Sequence, residues 1–127
     1  MADAAVLQIT KYDPMDLNLA AENLGDGGAA KVAAALKVNS RLTDLGLAQN
    51  QIGDAGAKSI GDALRVNATL IELNLYHNKI GDAGATAIAD ALRVNSMLLV
   101  LYLHENKIGD AGSACISATG TLLKERI

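Results

Sequence analysis

The chain has 127 residues, half of them hydrophobic, with no Phe or Trp, so it is long enough for one domain around an aliphatic core. Eleven basic and fourteen acidic side chains leave a formal charge of −3, which offers no general electrostatic attraction to nucleic acid. No apolar run approaches the roughly 20 residues of a membrane span, and the single Cys115 has no partner for an intrachain disulfide. No charged segment followed by an apolar one opens the chain, so the expected location is the cytoplasm, with no membrane partner.

Residues 1 to 16 are expected to cover the open end of the core. Asp3 can start a short helix through Ala4, Ala5, Val6, Leu7 and Ile9, but Val6 to Thr10 reads equally well as an edge strand. Pro14 is tolerable at a strand start or edge.

From Leu17 onward the chain repeats itself. Leu17, Leu45, Leu73 and Leu101 stand 28 residues apart in one column, and Leu19, Leu47, Leu75 and Leu103 form another. A period of this length marks a solenoid in which each unit buries its apolar face against its neighbours. The units are expected at 17–44, 45–72, 73–100 and 101–127, the last including a C-terminal cap.

Each unit carries L-x-x-L-x-L-x-x-N-x-I, as in Leu42, Leu45, Leu47, Asn50 and Ile52. The period-two leucines predict a short strand with one buried face. Ala57, Ile60, Gly61 and Leu64 then follow the i, i+3, i+4, i+7 spacing of an amphipathic helix. Strand then helix, repeated, implies an α/β solenoid of parallel strands joined by right-handed helical crossovers.

The connecting residues agree. Asp26, Asp54, Asp82 and Asp110 precede the helical stripes and are expected to cap the N–H groups that open each helix. Gly53 and Gly56 suit a tight turn and a close backbone approach. Asn39, Asn67 and Asn95 are expected to end the helices in the left-handed conformation. Asn50, Asn78 and Asn106 are read as structural amides that satisfy backbone groups in the turn after each strand. Strands lie about 4.8 Å apart and helices roughly 10 Å, so the stack bends with its strands inside. Alanines such as Ala29, Ala30, Ala33, Ala34 and Ala35 keep the outer wall thin.

Two units depart from the pattern. Glu22 replaces the turn asparagine of the first, which predicts a looser turn there, with Asn23 as a substitute. In the fourth, Thr119, Gly120 and Leu123 replace the helix-end residues, so the helix is expected to run on into LLKERI, kinked at Gly120.

The I-G-D-x-G-A turn, the A-L-x-V-N helix end and the 28-residue period over residues 17 to 119 resemble ribonuclease-inhibitor-like leucine-rich repeats. The same type forms the C-terminal arrays of NOD-like receptors. The resemblance implies an intracellular horseshoe whose concave strand face binds other proteins. The ribonuclease inhibitor often has Cys where this chain has Asn50, Asn78 and Asn106, which brings the chain nearer to the receptor arrays.

Catalysis finds no support. Gly56-Ala57-Lys58-Ser59 only superficially resembles a phosphate-binding loop, since no Gly directly precedes Lys58, and no nucleophile-base-acid arrangement is legible. His77 and His104 near Glu105 lack a third metal ligand, so no metal and no cofactor are expected. Cys115 reads as a tolerated small residue on the flank of the buried stripe.

The informative surface is the set of outward strand columns: Asp16, Asp44, Glu72, Val100; Asn18, Gly46, Asn74, Tyr102; Ala20, Ala48, Tyr76, His104; and Ala21, Gln49, His77, Glu105. Its N-terminal part is small and acidic, and its C-terminal part gathers two of the three tyrosines and both histidines. Tyrosine is enriched at interface hot spots, so Asp44, Glu72, Asn74, Tyr76, His77, Val100, Tyr102, His104 and Glu105 are the expected protein- or peptide-binding residues. The alternative for Tyr76 and Tyr102 is a simple cross-strand pair. Lys79 and Lys107 are placed as a basic rim beyond the strands, whereas Lys37, Arg65 and Arg93 sit near helix ends, where a cation suits the dipole.

The expected function is therefore a non-enzymatic interaction module. The alternatives are a scaffold regulating an enzyme or a cytoskeletal partner, in the manner of GTPase-activating or actin-directing repeats, or a fragment of a NOD-like-receptor sensor. Leu122, Leu123 and Ile127 at one end invite self-association, but Lys124, Glu125 and Arg126 oppose it, so a monomer is expected.

Overall fold

A computed structural model of the chain describes residues 15–119 and 124–126. In order these form β1 (Asp16–Asn18), α1 (Gly25–Val38), β2 (Asp44–Gly46), α2 (Asp54–Leu64), β3 (Glu72–Asn74), α3 (Asp82–Leu92), β4 (Val100–Tyr102), α4 (Asp110–Ser117) and β5 (Lys124–Arg126). The strands make one parallel sheet in sequence order, β1-β2-β3-β4-β5. Its register pairs Leu17 with Leu45, Leu45 with Leu73 and Leu73 with Leu101, so the leucine columns of the sequence are ladders in the fold. The result is an α/β leucine-rich solenoid with strands on one side and helices on the other.

One aliphatic core runs between the two layers. Leu42, Leu45, Leu47 and Ile52 are buried, as are Ala57, Ile60, Gly61 and Leu64 of α2, and both sets recur in the next unit. At about 25 cal/mol per Å² of apolar surface removed from water, this core is the main source of stability. Alanine and glycine on the helices let neighbouring helices approach closely. A Cβ on Gly61 would stand 3.0 Å from the Ala87 carbonyl oxygen of α3.

Asparagine ladders stitch the turns across units. Asn78 Oδ1 accepts from the N–H groups of Asn50 and Ile52, both at 3.0 Å, while its Nδ2 donates to the carbonyls of Leu47 and Leu75. Asn50 does the same one unit earlier, accepting from the Glu22 N–H at 2.9 Å. The turn at Glu22 is therefore held by the next unit's amide, as the regular turns are, while it has no amide of its own. The Glu22 side chain itself is exposed.

Three local expectations are corrected. The aspartates do not cap their own helices, whose cap positions make no side-chain hydrogen bond. Instead Asp26 accepts from the N–H groups of Gly53 and Gly56, Asp54 from Gly81 and Gly84, and Asp82 from Gly109 and Gly112. The residue at the cap position of the next helix is glycine and has no side chain, so the preceding unit supplies the carboxylate.

Asn39 has φ −79° and ψ 135°, and none of Asn39, Asn67 and Asn95 is left-handed. Asn67 and Asn95 are buried and form a second ladder: Asn67 Nδ2 donates to the Leu36 and Asn39 carbonyls, and Oδ1 accepts from the Thr69 and Leu70 N–H groups. Left-handed backbone falls on Ala21, Asn23, Gln49, Gln51, His77 and Glu105, and on Gly25 at φ 62°. All six non-glycine positions flank the turn asparagine column or its Glu22 equivalent, where the side-chain amide over-determines the backbone.

Finally, α4 ends at Ser117, and residues 124–126 pair with β4 in parallel as a fifth strand rather than extending the helix. The unpaired edge of β4 accepts a strand, and hydrogen bonds along it favour extended chain over further helix. The expected N-terminal cap through Pro14, the kink at Gly120, and the Leu122, Leu123 and Ile127 surface lie outside the described residues.

Candidate functional site on the strand face

Between the buried leucines of each strand, alternate residues face outward, as the two-residue period requires. The register aligns Asp16, Asp44, Glu72 and Val100 in one row and Asn18, Gly46, Asn74 and Tyr102 in the next. The chain then leaves the strand through a fixed turn. Asn74 Oδ1 accepts from the Tyr76 N–H at 2.9 Å, and the His77 N–H donates to the His104 carbonyl at 3.1 Å. Asn74 thus also shapes the site by orienting the backbone that carries Tyr76.

Tyr76, Tyr102 and His104 are half-buried, and His77 and Glu105 are exposed. The Tyr76 and His104 ring centroids lie 4.4 Å apart with planes inclined by 39°, and His77 meets Tyr76 edge-on at 5.7 Å. Tyr102 meets His104 edge-on at 6.3 Å. The tyrosines therefore do not simply pair with each other: His104, next to Tyr76 in its own column, is the ring that both touch. His104 Nδ1 is buried without a hydrogen-bond partner among the described residues.

Toward the N-terminus the face changes. The Asn18 side chain lies over Gly46, whose Cβ would stand 2.9 Å from Asn18 Oδ1, and Asp16, Asn18, Asp44, Glu72 and Asn74 surround a shallow cavity of about 190 Å³. Asp44, Glu72 and Asn74 are half-buried there, and Val100 on β4 is half-buried too. Beyond the other end of the strands, Gln49, Gln51, His77, Asn78, Lys79 and Lys107 line a cavity of about 420 Å³. Among the described residues no group of three or more His, Cys, Asp or Glu side chains is placed to hold a metal, and no helix is long and apolar enough to cross a membrane. Cys115 is half-buried against the core and lies 3.6 Å from Thr86 Oγ1.

One surface is missed by reasoning from the sequence. Val38, Val66 and Val94 are 81%, 61% and 63% exposed at the same place in successive units, and Met97 and Leu99 are exposed as well. The V-N pair reads as a helix end, yet valine at an exposed position three times over is a legible signal.

A family model described as Leucine Rich repeat matches residues 38–61, 66–89 and 94–117. The chain belongs to the leucine-rich repeat family. No curated protein sequence matches this leucine-rich repeat chain. Among solved structures it is similar to "Leiomodin-1 Actin-Binding Site 2 (ABS2)", with a TM-score of 0.85 and 23% identity, covering 98% of this chain and 77% of that one. It is also similar to a tropomodulin C-terminal domain from Caenorhabditis elegans, with a TM-score of 0.76 and 12% identity, covering 93% and 74%. At these identities the likeness is one of fold.

Proposed function

We propose that this leucine-rich repeat domain is a non-catalytic interaction module that binds a protein or peptide on the concave strand face. The contact residues are Glu72, Asn74, Tyr76, His77, Tyr102, His104 and Glu105, with Asp44 and Val100 at the margin. The observation that carries this reading is the cluster of Tyr76, His104 and Tyr102, half-buried rings on an open face in a chain with only 2% aromatic residues. Aromatic side chains with a polar tip supply much of the binding energy at interfaces. Replacing Tyr76 and Tyr102 together with Ala, followed by partner capture and mass spectrometry, tests it: capture is expected to fail while the domain stays folded.

A second reading, a scaffold directed at the cytoskeleton or at an enzyme, draws support from the fold shared with a leiomodin-1 actin-binding site. Co-sedimentation with actin filaments tests one branch and stimulation of small GTPases the other. The 28-residue period supports the ribonuclease-inhibitor-like type, the type of the NOD-like-receptor arrays, of which the chain would be a piece in a third reading. We further propose a monomer whose units 17–44, 45–72, 73–100 and 101–127 act as one domain in the cytoplasm, without nucleic-acid or membrane partners. Light scattering over a wide concentration range tests the monomer.

A further inference from the structure

We infer that the rim formed by Lys79 and Lys107 is a subsite for the carboxylate side chains of an acidic peptide segment. The inference rests on the strand face being the binding surface and names the chemistry of what binds beside its aromatic cluster. Lys79 and Lys107 hold the same place in successive units: the Lys79 N–H donates to the Ile52 carbonyl at 2.7 Å, and the Lys107 N–H to the Ile80 carbonyl at 2.8 Å. Their ammonium groups therefore rise from backbones stacked near the strand spacing of about 5 Å.

Both side chains are exposed, and neither forms an ion pair among the described residues, although the Glu105 carboxylate is only two residues from Lys107. Two like charges carried on neighbouring backbones repel, and an anion between them relieves the repulsion while gaining attraction to both. The cavity they share is large enough for a carboxylate side chain, and Gln49 and Gln51 line it with uncharged hydrogen-bonding groups.

Position ties the subsite to the strand face. His77, with its left-handed backbone, lines this cavity and also meets the Tyr76 ring. In the two earlier units the lysine position holds Asn23 and Gln51, so the rim is positive only in the units that carry Tyr76, Tyr102 and His104. Two cations do not make the long basic stripe that a nucleic-acid backbone needs, which favours a short acidic peptide.

The test is a titration of the ¹⁵N-labelled full chain with tetraglutamate, tetraglutamine and inorganic phosphate, following the backbone amides of Gln51, His77, Lys79 and Lys107. Tetraglutamate is expected to shift these amides at a concentration at least tenfold lower than tetraglutamine. The Lys79→Glu/Lys107→Glu variant is expected to abolish that preference and to favour tetralysine. Equal shifts by the two peptides, or a preference that survives the double variant, would overturn the inference, as would phosphate acting at lower concentration than tetraglutamate. The Tyr76→Ala/Tyr102→Ala variant is expected to keep the glutamate preference. Partner capture lost in that variant without any glutamate preference in the wild type sinks the rim alone, and the reverse pattern sinks the strand-face reading alone.

Discussion

Asp54 opens α2, but its carboxylate caps α3: Asp54 Oδ1 accepts a hydrogen bond from the Gly84 N–H at 2.9 Å and another from Gly81 at 2.7 Å. A helix start is thus completed only when the preceding unit is folded and stacked. Cap formation and repeat stacking become one event, as expected where stability lies in the interfaces between units. Asp54→Ala is expected to cost about 1 kcal/mol, a fall in melting temperature of roughly 4 °C. Amide exchange should rise first at Gly81 and Gly84, in the unit after the substitution. Exchange rising instead at the start of α2 would contradict the inter-unit cap.

Gly84 is glycine because the carboxylate comes so close. A Cβ there would stand 2.8 Å from Asp54 Oδ1 and 2.8 Å from Ile80 Cγ2, whereas one on Gly27 meets nothing within 4 Å. Gly84→Ala should destabilise by about 1–3 kcal/mol through overpacking. Gly27→Ala, on the exposed side of α1, should stabilise by about 0.5–1 kcal/mol by helix propensity. Chemical denaturation of the two variants checks the opposite signs.

Asn78→Ala removes the acceptor for two buried N–H groups, those of Asn50 and Ile52, and a donor to the Leu47 and Leu75 carbonyls. At about 1–3 kcal/mol for each stranded buried group, the loss should exceed about 2 kcal/mol. Asn78→Asp keeps the acceptor and should restore exchange protection at Asn50 and Ile52 in part, without recovering full stability.

The sequence disclosed the strand columns, the buried helical stripe and the turn asparagines because a 28-residue period repeats each of them. It concealed what depends on the neighbouring unit. Asp54 sits at a helix start, so a local view assigns it to α2, and only the stacking reveals α3 as its target. Asn67 sits at a helix end, which suggests a left-handed cap, yet its amide reaches back to Leu36. Lys124, Glu125 and Arg126 are helix-compatible residues, and their extended pairing with β4 is set by the open sheet edge. At the candidate site, the sequence placed Tyr76, Tyr102 and His104 on one face but not the ring contacts with His104, which depend on side-chain direction.

The ring contacts predict a modest structural role. Tyr76→Ala should lower stability by about 1 kcal/mol through lost packing against His104, leaving the fold intact by circular dichroism.

The most direct test of the strand-face account is partner capture by three folded proteins: the wild type, Tyr76→Ala/Tyr102→Ala, and an outer-helix control, Lys58→Ala/Asp62→Ala, which removes only an exposed ion pair. The account predicts that the tyrosine variant loses at least about tenfold in affinity for the captured partner, as hot-spot truncation does, while the control matches the wild type. Undiminished binding by the tyrosine variant, or loss confined to the helix control, would contradict it.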